Sequence, residues 1–344
     1  MAVNASLYDT RALVANIELM KPPSSFLIDT FFPNVQYSDT EFVSIDIFVG
    51  KRRLAPFCSP LVEGKIVESL GYTTNDFKPA YIKQKTKLDP LRPVRRMRGE
   101  RIGGSIPPGE REQANLIFEQ EQHIQMIQRR LEWMAASALS AGTLTVSGEG
   151  IPTTTINFGR DSGQTLTLTG GSRWEQSGVS AVDNIDNWCA TVLQNSGLVV
   201  TDLVFTLGAW QSFRKDATLA QVILSPANGD IGLNVQGAKP MVGGMHMGKW
   251  GGRDLWLYND WYIDPADNTE KPLLAANTVL LVSRGMEGTQ AFGSVMDPEF
   301  SYQALPYAPK SWVEKDPAVR YLMTQSSPLV IPSAVNGAMA VVVK

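Results

Sequence analysis

Apolar residues between positions 110 and 141 recur at helical spacing. Ile117, Ile124, Ile127, Leu131, Met134 and Ala138 are separated by 7, 3, 4, 3 and 4 positions, one stripe interrupted only at Gln120. Pro107-Pro108 precedes the segment, Glu110 and Glu112 suit its N-terminal dipole and Gly142 follows its end, which are start and stop signals of a helix. About 30 residues at a rise of roughly 1.5 Å make a rod on the order of 45 Å long. That length suggests a spine on which other elements rest.

Around this helix the pattern is shorter in period. Residues 7–20 predict a helix ended by Pro22-Pro23, and residues 26–32 a second apolar piece stopped at Pro33. The alternation in 42–49 predicts a strand. Three Thr-rich strands are expected at 143–146, 153–158 and 165–169, then a helix over 183–195 ended by Gly197. A buried strand is expected at 198–207, a helical stretch at 211–220, and strands at 254–258 and 278–282. Gly and Met dominate 228–252, which favours a flexible loop. The fold class is therefore α+β, with no fixed-period repeat.

Charge changes this picture in one place. Residues 51–101 hold thirteen Lys or Arg and five acids, a surplus of +8; since the whole chain carries −3, the remainder carries −11. Lys83, Lys85 and Lys87 fall on one face of a strand. The segment reads as a long two-stranded excursion, and an isolated hairpin is at best marginally stable, so it calls for a surface to rest on. The acidic remainder argues against a pure nucleic-acid binder. A basic excursion laid on an acidic neighbour is the better account, with charge setting register and the apolar members Leu61, Val62, Ile66, Phe77, Tyr81 and Ile82 supplying contact energy.

Candidate chemistry is sparse. Two cysteines, Cys58 and Cys189, exclude a disulfide framework. Two histidines, His123 and His246, are the whole neutral-pH acid–base supply, and His123 is expected to face a neighbour or solvent. Gly243-Gly-Met-His-Met-Gly248-Lys249-Trp250 imitates a phosphate-binding loop, but Trp250 stands where a Mg²⁺-ligating hydroxyl is needed. No metal spacing or nucleophile elbow occurs. Catalytic, cofactor-binding and metal residues are thus expected to be none, and the chain is not expected to be an enzyme. No leader pattern opens the sequence, and the apolar stretch 328–343 is too short and too interrupted to span a bilayer.

Several ordered motifs go further. Ser59-Pro60-Leu61-Val62-x-Gly64 is followed by Phe77-x-Pro79-x-Tyr81-x-Lys83-x-Lys85 and then Arg95-Arg96. Later come Gly170-Gly171-x-x-Trp174, Pro309-Lys310-x-Trp312-Val313, Asp316-Pro317-Ala318 and Gln325-Ser326-x-Pro328-Leu329. In this order and spacing the chain resembles the lambda-type major capsid proteins, the coat protein E family, which have the Hong Kong 97-type phage coat fold. The match weakens over residues 217–277.

The resemblance implies an N-terminal arm (1–45), an extended loop region (46–108), and a peripheral domain with spine helix and strands (109–196). An axial domain (197–324) and a C-terminal strand returning to the core (325–344) complete the division. It implies a head protein of a tailed double-stranded DNA phage, located in the virion and assembled in the host cytoplasm, forming hexamers and pentamers of an icosahedral shell. A tail or baseplate component is the alternative. Implied inter-subunit contacts of the extended loop are Leu61, Val62, Lys65, Phe77, Tyr81, Lys83, Lys85, Lys87, Arg95 and Arg96. The spine core is Ile117, Ile124, Ile127, Leu131 and Met134. Implied partners are further copies of the chain, a scaffolding protein, a maturation protease and a portal, with a decoration protein optional. Double-stranded DNA is enclosed without sequence-specific binding, and no membrane or cofactor is involved.

Overall fold

The computed structural model describes residues 9–20, 25–40, 42–48, 54–55, 57–61, 63, 72–88, 91, 106–216, 219, 239–240, 243–316 and 319–344. Its longest element is helix α3 (Pro108–Ala141). Two short helices, α1 (Thr10–Leu19) and α2 (Phe26–Phe31), precede it. The spine starts with Pro at its first position and ends at Gly142 in the left-handed conformation, φ 67°, where glycine escapes the Cβ penalty. Its last carbonyls are also covered: the Arg160 guanidinium donates to Leu139 O at 2.7 Å and Ala138 O at 2.8 Å. Burial lowers the Arg160 pKa to about 10.

A seven-stranded mixed sheet forms the centre. Its order is β7 (Thr165–Thr167), β19 (Ala338–Val342), β14 (Thr278–Val282), β8 (Asp202–Phe205), β11 (Arg253–Tyr258), β10 (Gly244–Trp250) and β9 (Lys239–Pro240). β8 runs parallel to β11, and β7 parallel to β19. Its central strands are apolar on both faces, and alternate residues enter two different cores. Leu203, Phe205, Leu255, Val279 and Leu281 meet helices α4 (Ala181–Ser196) and α5 (Leu207–Phe213) through Ile185, Trp188, Ala209 and Phe213. Val204, Trp256, Leu280 and Val282 join the core that contains Ile127, Leu131 and Met134 of α3 and Phe26 of α2.

Among the described residues, five smaller sheets surround this centre. β1 (Asn34–Tyr37), β15 (Thr289–Phe292) and β18 (Pro328–Ile331) make a three-stranded sheet. β5 (Thr143–Gly148) and β6 (Ile151–Asn157) form an antiparallel pair beside the spine. β12 (Trp261–Ile263) and β13 (Glu270–Pro272) form another. β2 (Val43–Phe48) pairs with β3 (Tyr72–Phe77), from Val43↔Phe77 to Phe48↔Tyr72. Finally β16 (Ala308–Glu314), β17 (Val319–Ser326) and β4 (Ile82–Leu88) form a sheet in that order.

Three expectations are corrected. The lysine strand β4 does not pair with β3; it is the edge of the β16–β17 sheet, because its half-buried Leu88 packs on the cluster of Leu13, Leu116 and Leu322. Of the helix expected at 211–220, residues 211–213 belong to α5, which starts earlier, at Leu207, because Trp210 and Phe213 fill the core; residues 214–216 are not helical, and 217, 218 and 220 lie outside the described residues. The Gly/Met loop at 243–250 is strand β10, with a register shift between His246 and Gly248. Gly244 is required there by close approach, since a Cβ would lie 2.8 Å from the Phe26 ring.

One polar junction ties arm, spine and sheet together. The carboxylate of Glu132, on α3 and 2% exposed, accepts the backbone N–H of Leu27 at 2.9 Å and of Ile28 at 3.0 Å, two first-turn donors of α2. The Tyr258 hydroxyl on β11 donates to it at 2.9 Å. Burial dominates and raises the Glu132 pKa to about 7, against these hydrogen bonds, which lower it. A carboxyl whose folded pKa exceeds its ordinary value of 4.5 binds more protons folded than unfolded between those values. Its stabilising contribution is fully present at low pH and is lost as pH rises from about 4.5 to about 7. Glu132→Gln should therefore abolish a fall of on the order of 3 kcal/mol in unfolding free energy across that window. Urea titrations of both proteins at several pH values measure this, and parallel pH profiles would refute the assignment.

Candidate assembly surface

The described part of the excursion comprises the β2–β3 pair, whose base is anchored in the main core by Val43 and Phe77, and residues 54–55, 57–61 and 63. Phe77 is buried, with its ring 5.7 Å from that of Phe158. Beyond the pair, Leu54, Phe57 and Leu61 are 96%, 104% and 95% exposed, so three large apolar side chains find no cover within the chain. Large apolar side chains left exposed close together in sequence point to an interaction site. Cys58, between them, is exposed as well. Val62, Lys65, Arg95 and Arg96 lie outside the described residues.

The basic residues that are described belong to a different surface. Lys83, Lys85 and Lys87 are exposed on β4 while Ile82, Gln84, Thr86 and Leu88 are half-buried, the period-two pattern of a strand covered on one face. The covered face meets the spine. His123 is 2% exposed, with one ring nitrogen 2.7 Å from the Thr86 hydroxyl and the other 2.9 Å from that of Thr324. His123 thus faces neither solvent nor a neighbour, because two strand hydroxyls satisfy both nitrogens inside. Burial lowers its pKa.

On the outer face, antiparallel register sets Lys83, Lys85 and Lys87 opposite Gln325, Met323 and Tyr321, and Lys310 and Trp312 lie beyond on β16. The Lys85 ammonium sits 3.9 Å from the Tyr321 ring centroid and 5.1 Å from that of Trp312, a cation–π clamp. Beside it, the half-buried Tyr81 hydroxyl donates to Gln325 Oε1 at 2.7 Å, and Gln325 Nε2 donates to Asp297 Oδ2 at 2.7 Å. Asp297 also pairs with Lys310. Burial pushes the Asp297 pKa up, but the bonds from Lys310 and Gln325 outweigh it and hold the carboxyl below its ordinary range.

Of the proposed spine residues, Ile124, Ile127, Leu131 and Met134 are buried and Ile117 is half-buried. The interrupting Gln120 is buried and donates to Leu13 O at 3.4 Å, toward the arm. Phe118 and Met126, on the opposite side, are 53% and 57% exposed. Sequence reasoning missed Glu132, Asp297 and Asp202. Asp202 is fully buried, accepts from Trp256 Nε1 at 2.9 Å, and is held by Arg284 through Nε at 2.8 Å and one terminal nitrogen at 2.7 Å. The available signal was an acid inside an apolar run, at Asp202-Leu-Val-Phe205 and Leu131-Glu132-Trp133. The phosphate-loop imitation is removed outright: its backbone is committed to β10, and Trp250 is buried. Among the described residues no group of His, Cys, Asp and Glu could hold a metal ion, and no helix is long and apolar enough to cross a membrane.

Comparison with known proteins gives a consistent result. A family model described as phage major capsid protein E matches residues 9–343. The chain is 26% identical over 332 residues to the major capsid protein of Escherichia phage lambda, covering 95% of this chain and 96% of that protein. It is 26% identical over 339 residues to the major capsid protein of Escherichia phage N15, with the same coverages of 95% and 96%. Among solved structures, a prophage capsid protein of E. coli CFT073 superposes with a TM-score of 0.76 at 21% identity, over 97% of this chain and 99% of that one. The capsid of Ralstonia phage GP4 gives 0.51 at 13% identity, over 94% and 91%. Both share the fold.

The two networks on the sheet differ in what they contribute. Asp297→Ala leaves Lys310 and Gln325 without their shared acceptor and should cost about 3 kcal/mol. Lys85→Ala removes an exposed cation–π contact and should cost about 0.5–1 kcal/mol. Chemical denaturation of the two variants checks the order, and equal losses would contradict it.

Proposed function

The chain belongs to the phage major capsid protein E family, and from that premise we propose how it builds a shell. It is a virion structural protein, the major capsid protein of a tailed double-stranded DNA phage, and it assembles into a multimeric icosahedral coat. The family match favours this over a tail or baseplate component, and the family's role is structural. We take the chain to be non-catalytic.

In the proposed arrangement, residues 1–45 act as an arm and 46–108 as the extended loop region. Residues 109–196 form a peripheral domain, 197–324 an axial domain whose copies meet around fivefold and sixfold axes, and 325–344 a returning strand. The β2–β3 excursion of one subunit lies over its neighbour in a hexamer or pentamer. The observation that carries this reading is the full exposure of Leu54, Phe57 and Leu61 on a segment whose base is rigidly cored. Fully burying each such side chain contributes about 1.5–3 kcal/mol, more than an exposed ion pair at about 0–1 kcal/mol. The excursion therefore works chiefly by apolar contact. Leu61, Val62, Lys65, Phe77, Tyr81, Lys83, Lys85, Lys87, Arg95 and Arg96 remain the proposed contact set, with Phe77 acting from the buried base. A scaffolding protein, a maturation protease and a portal are the proposed partners, with a decoration protein optional, and the shell encloses DNA without reading its sequence.

Replacing residues 49–71 by an Asn-Gly turn should give a subunit that unfolds at nearly the wild-type temperature yet no longer forms particles. Electron microscopy and sedimentation of both purified proteins over a concentration series test this. Closed shells from the shortened variant would defeat the excursion model. Monomers from the wild type at every concentration would defeat the shell reading.

A further inference from the structure

The charge of the 51–101 segment is unevenly divided by the fold. Residues 51–77, which hold the excursion, carry four Lys or Arg against three acids, whereas residues 78–101 carry nine against two. Of those nine bases, Lys78, Lys83, Lys85 and Lys87 are among the described residues, the last three on the outer face of the β16–β17–β4 sheet. There Lys83, Lys85 and Lys87 stand in a row. The Lys83 ammonium lies 5.2 Å from the Tyr81 ring centroid, and that of Lys85 lies over the Tyr321 and Trp312 rings. A face of exposed ammonium groups set among half-buried aromatics is unfinished: it attracts an acidic partner that also brings apolar contact.

The same chain carries such a partner. Residues 260–270, which turn through the β12–β13 pair, contain Asp260, Asp264, Asp267 and Glu270 and no base. Lys271 bridges Asp264 at 2.6 Å and Asp267 at 2.8 Å, and Arg129 lies 3.5 Å from Asp260, which leaves a net negative hairpin. Trp261 and Ile263 on β12 are 46% and 61% exposed. Acidic groups beside an exposed indole complement ammonium groups beside an indole and a phenol.

We infer that the β12–β13 hairpin of one copy docks on the lysine–aromatic face of the β16–β17–β4 sheet of another. The contact joins two different patches, so it is heterologous and propagates into a ring or closed surface rather than ending at a dimer. It deepens the shell reading and rests on it: the excursion supplies one inter-subunit contact and this pair a second. Charge at such a contact sets register and speeds encounter more than it adds affinity. Duplex DNA is the less suited occupant, because Lys85 already covers the Tyr321 ring and the chain as a whole is net negative at −3.

The test is a charge swap in the full-length protein. Lys83→Glu/Lys87→Glu and Asp267→Lys/Glu270→Lys are made separately and together, with thermal unfolding used to select folded subunits and particle yield read by sedimentation and electron microscopy. Each pair alone should lower particle yield roughly tenfold or more, and the four-residue swap should restore most of it. High salt should weaken the wild-type contact in the same assay. Wild-type yield from either single pair, or no recovery in the swap, overturns the inference while leaving the shell reading intact. Loss of duplex-DNA retention on Lys83→Glu/Lys87→Glu, with no rescue by the swap, would assign the face to nucleic acid instead. Wild-type protein that forms no particles overturns the shell reading and this contact with it.

Discussion

A sheet that is apolar on both faces must be covered on both, and this constraint organises the chain. The seven-stranded sheet sends Phe205, Leu255 and Leu281 to one side and Val204, Trp256 and Leu280 to the other. α4 and α5 cover the first side. The second is covered by the C-terminal half of the spine together with α2, and those two are locked to the sheet through Glu132, whose carboxylate serves α2 and β11 at once. Once the spine is seated, its N-terminal half has to find another partner. The β16–β17–β4 sheet provides it, with Leu322 against Leu116 and His123 between Thr86 and Thr324.

The body satisfies itself by these contacts, and the excursion does not. Val43 and Phe77 fasten the β2–β3 base to the core, while Leu54, Phe57 and Leu61 stay uncovered. A monomeric protein gains nothing from such a segment, and exposed apolar side chains of this size invite association. In a coat, the same exposure is the means of joining. Charge is divided unevenly along the same region: most of its basic surplus falls in residues 78–101, and residues 51–77 carry only one more base than acid.

Much of this was legible from residue pattern. The spine showed itself because period 3.6 holds from Ile124 to Ala138 on a helix with Pro at one end and Gly at the other. The strand at 278–282 and the helix before Gly197 were equally plain, each being a short run with one dominant period. Pairing was not legible. Nothing local distinguishes β4 joined to β3 from β4 joined to β17, because strand partners are chosen by burial over distances of more than two hundred residues. His123 looked like a surface residue among Gln and Glu, and only the two threonines brought against it reveal the buried role. The Gly-rich stretch at 243–250 looked like a loop because glycine is poor in strands, while the real reason for Gly244 is the Phe26 ring pressed against it. The motifs that carried the family resemblance turn out to include packing residues: Trp174 stacks on Trp188 at 5.9 Å, and Trp312 and Gln325 sit in the sheet networks.

The central claim is that Leu54, Phe57 and Leu61 are left uncovered in the subunit in order to be covered in the shell. Amide hydrogen exchange of dissociated subunits and of assembled particles measures it directly, peptide by peptide. The account predicts fast exchange around Leu54–Leu61 in the subunit and strong protection of that stretch in the particle, with the α3 peptides protected in both. Unchanged exchange at 54–61 on assembly would contradict it.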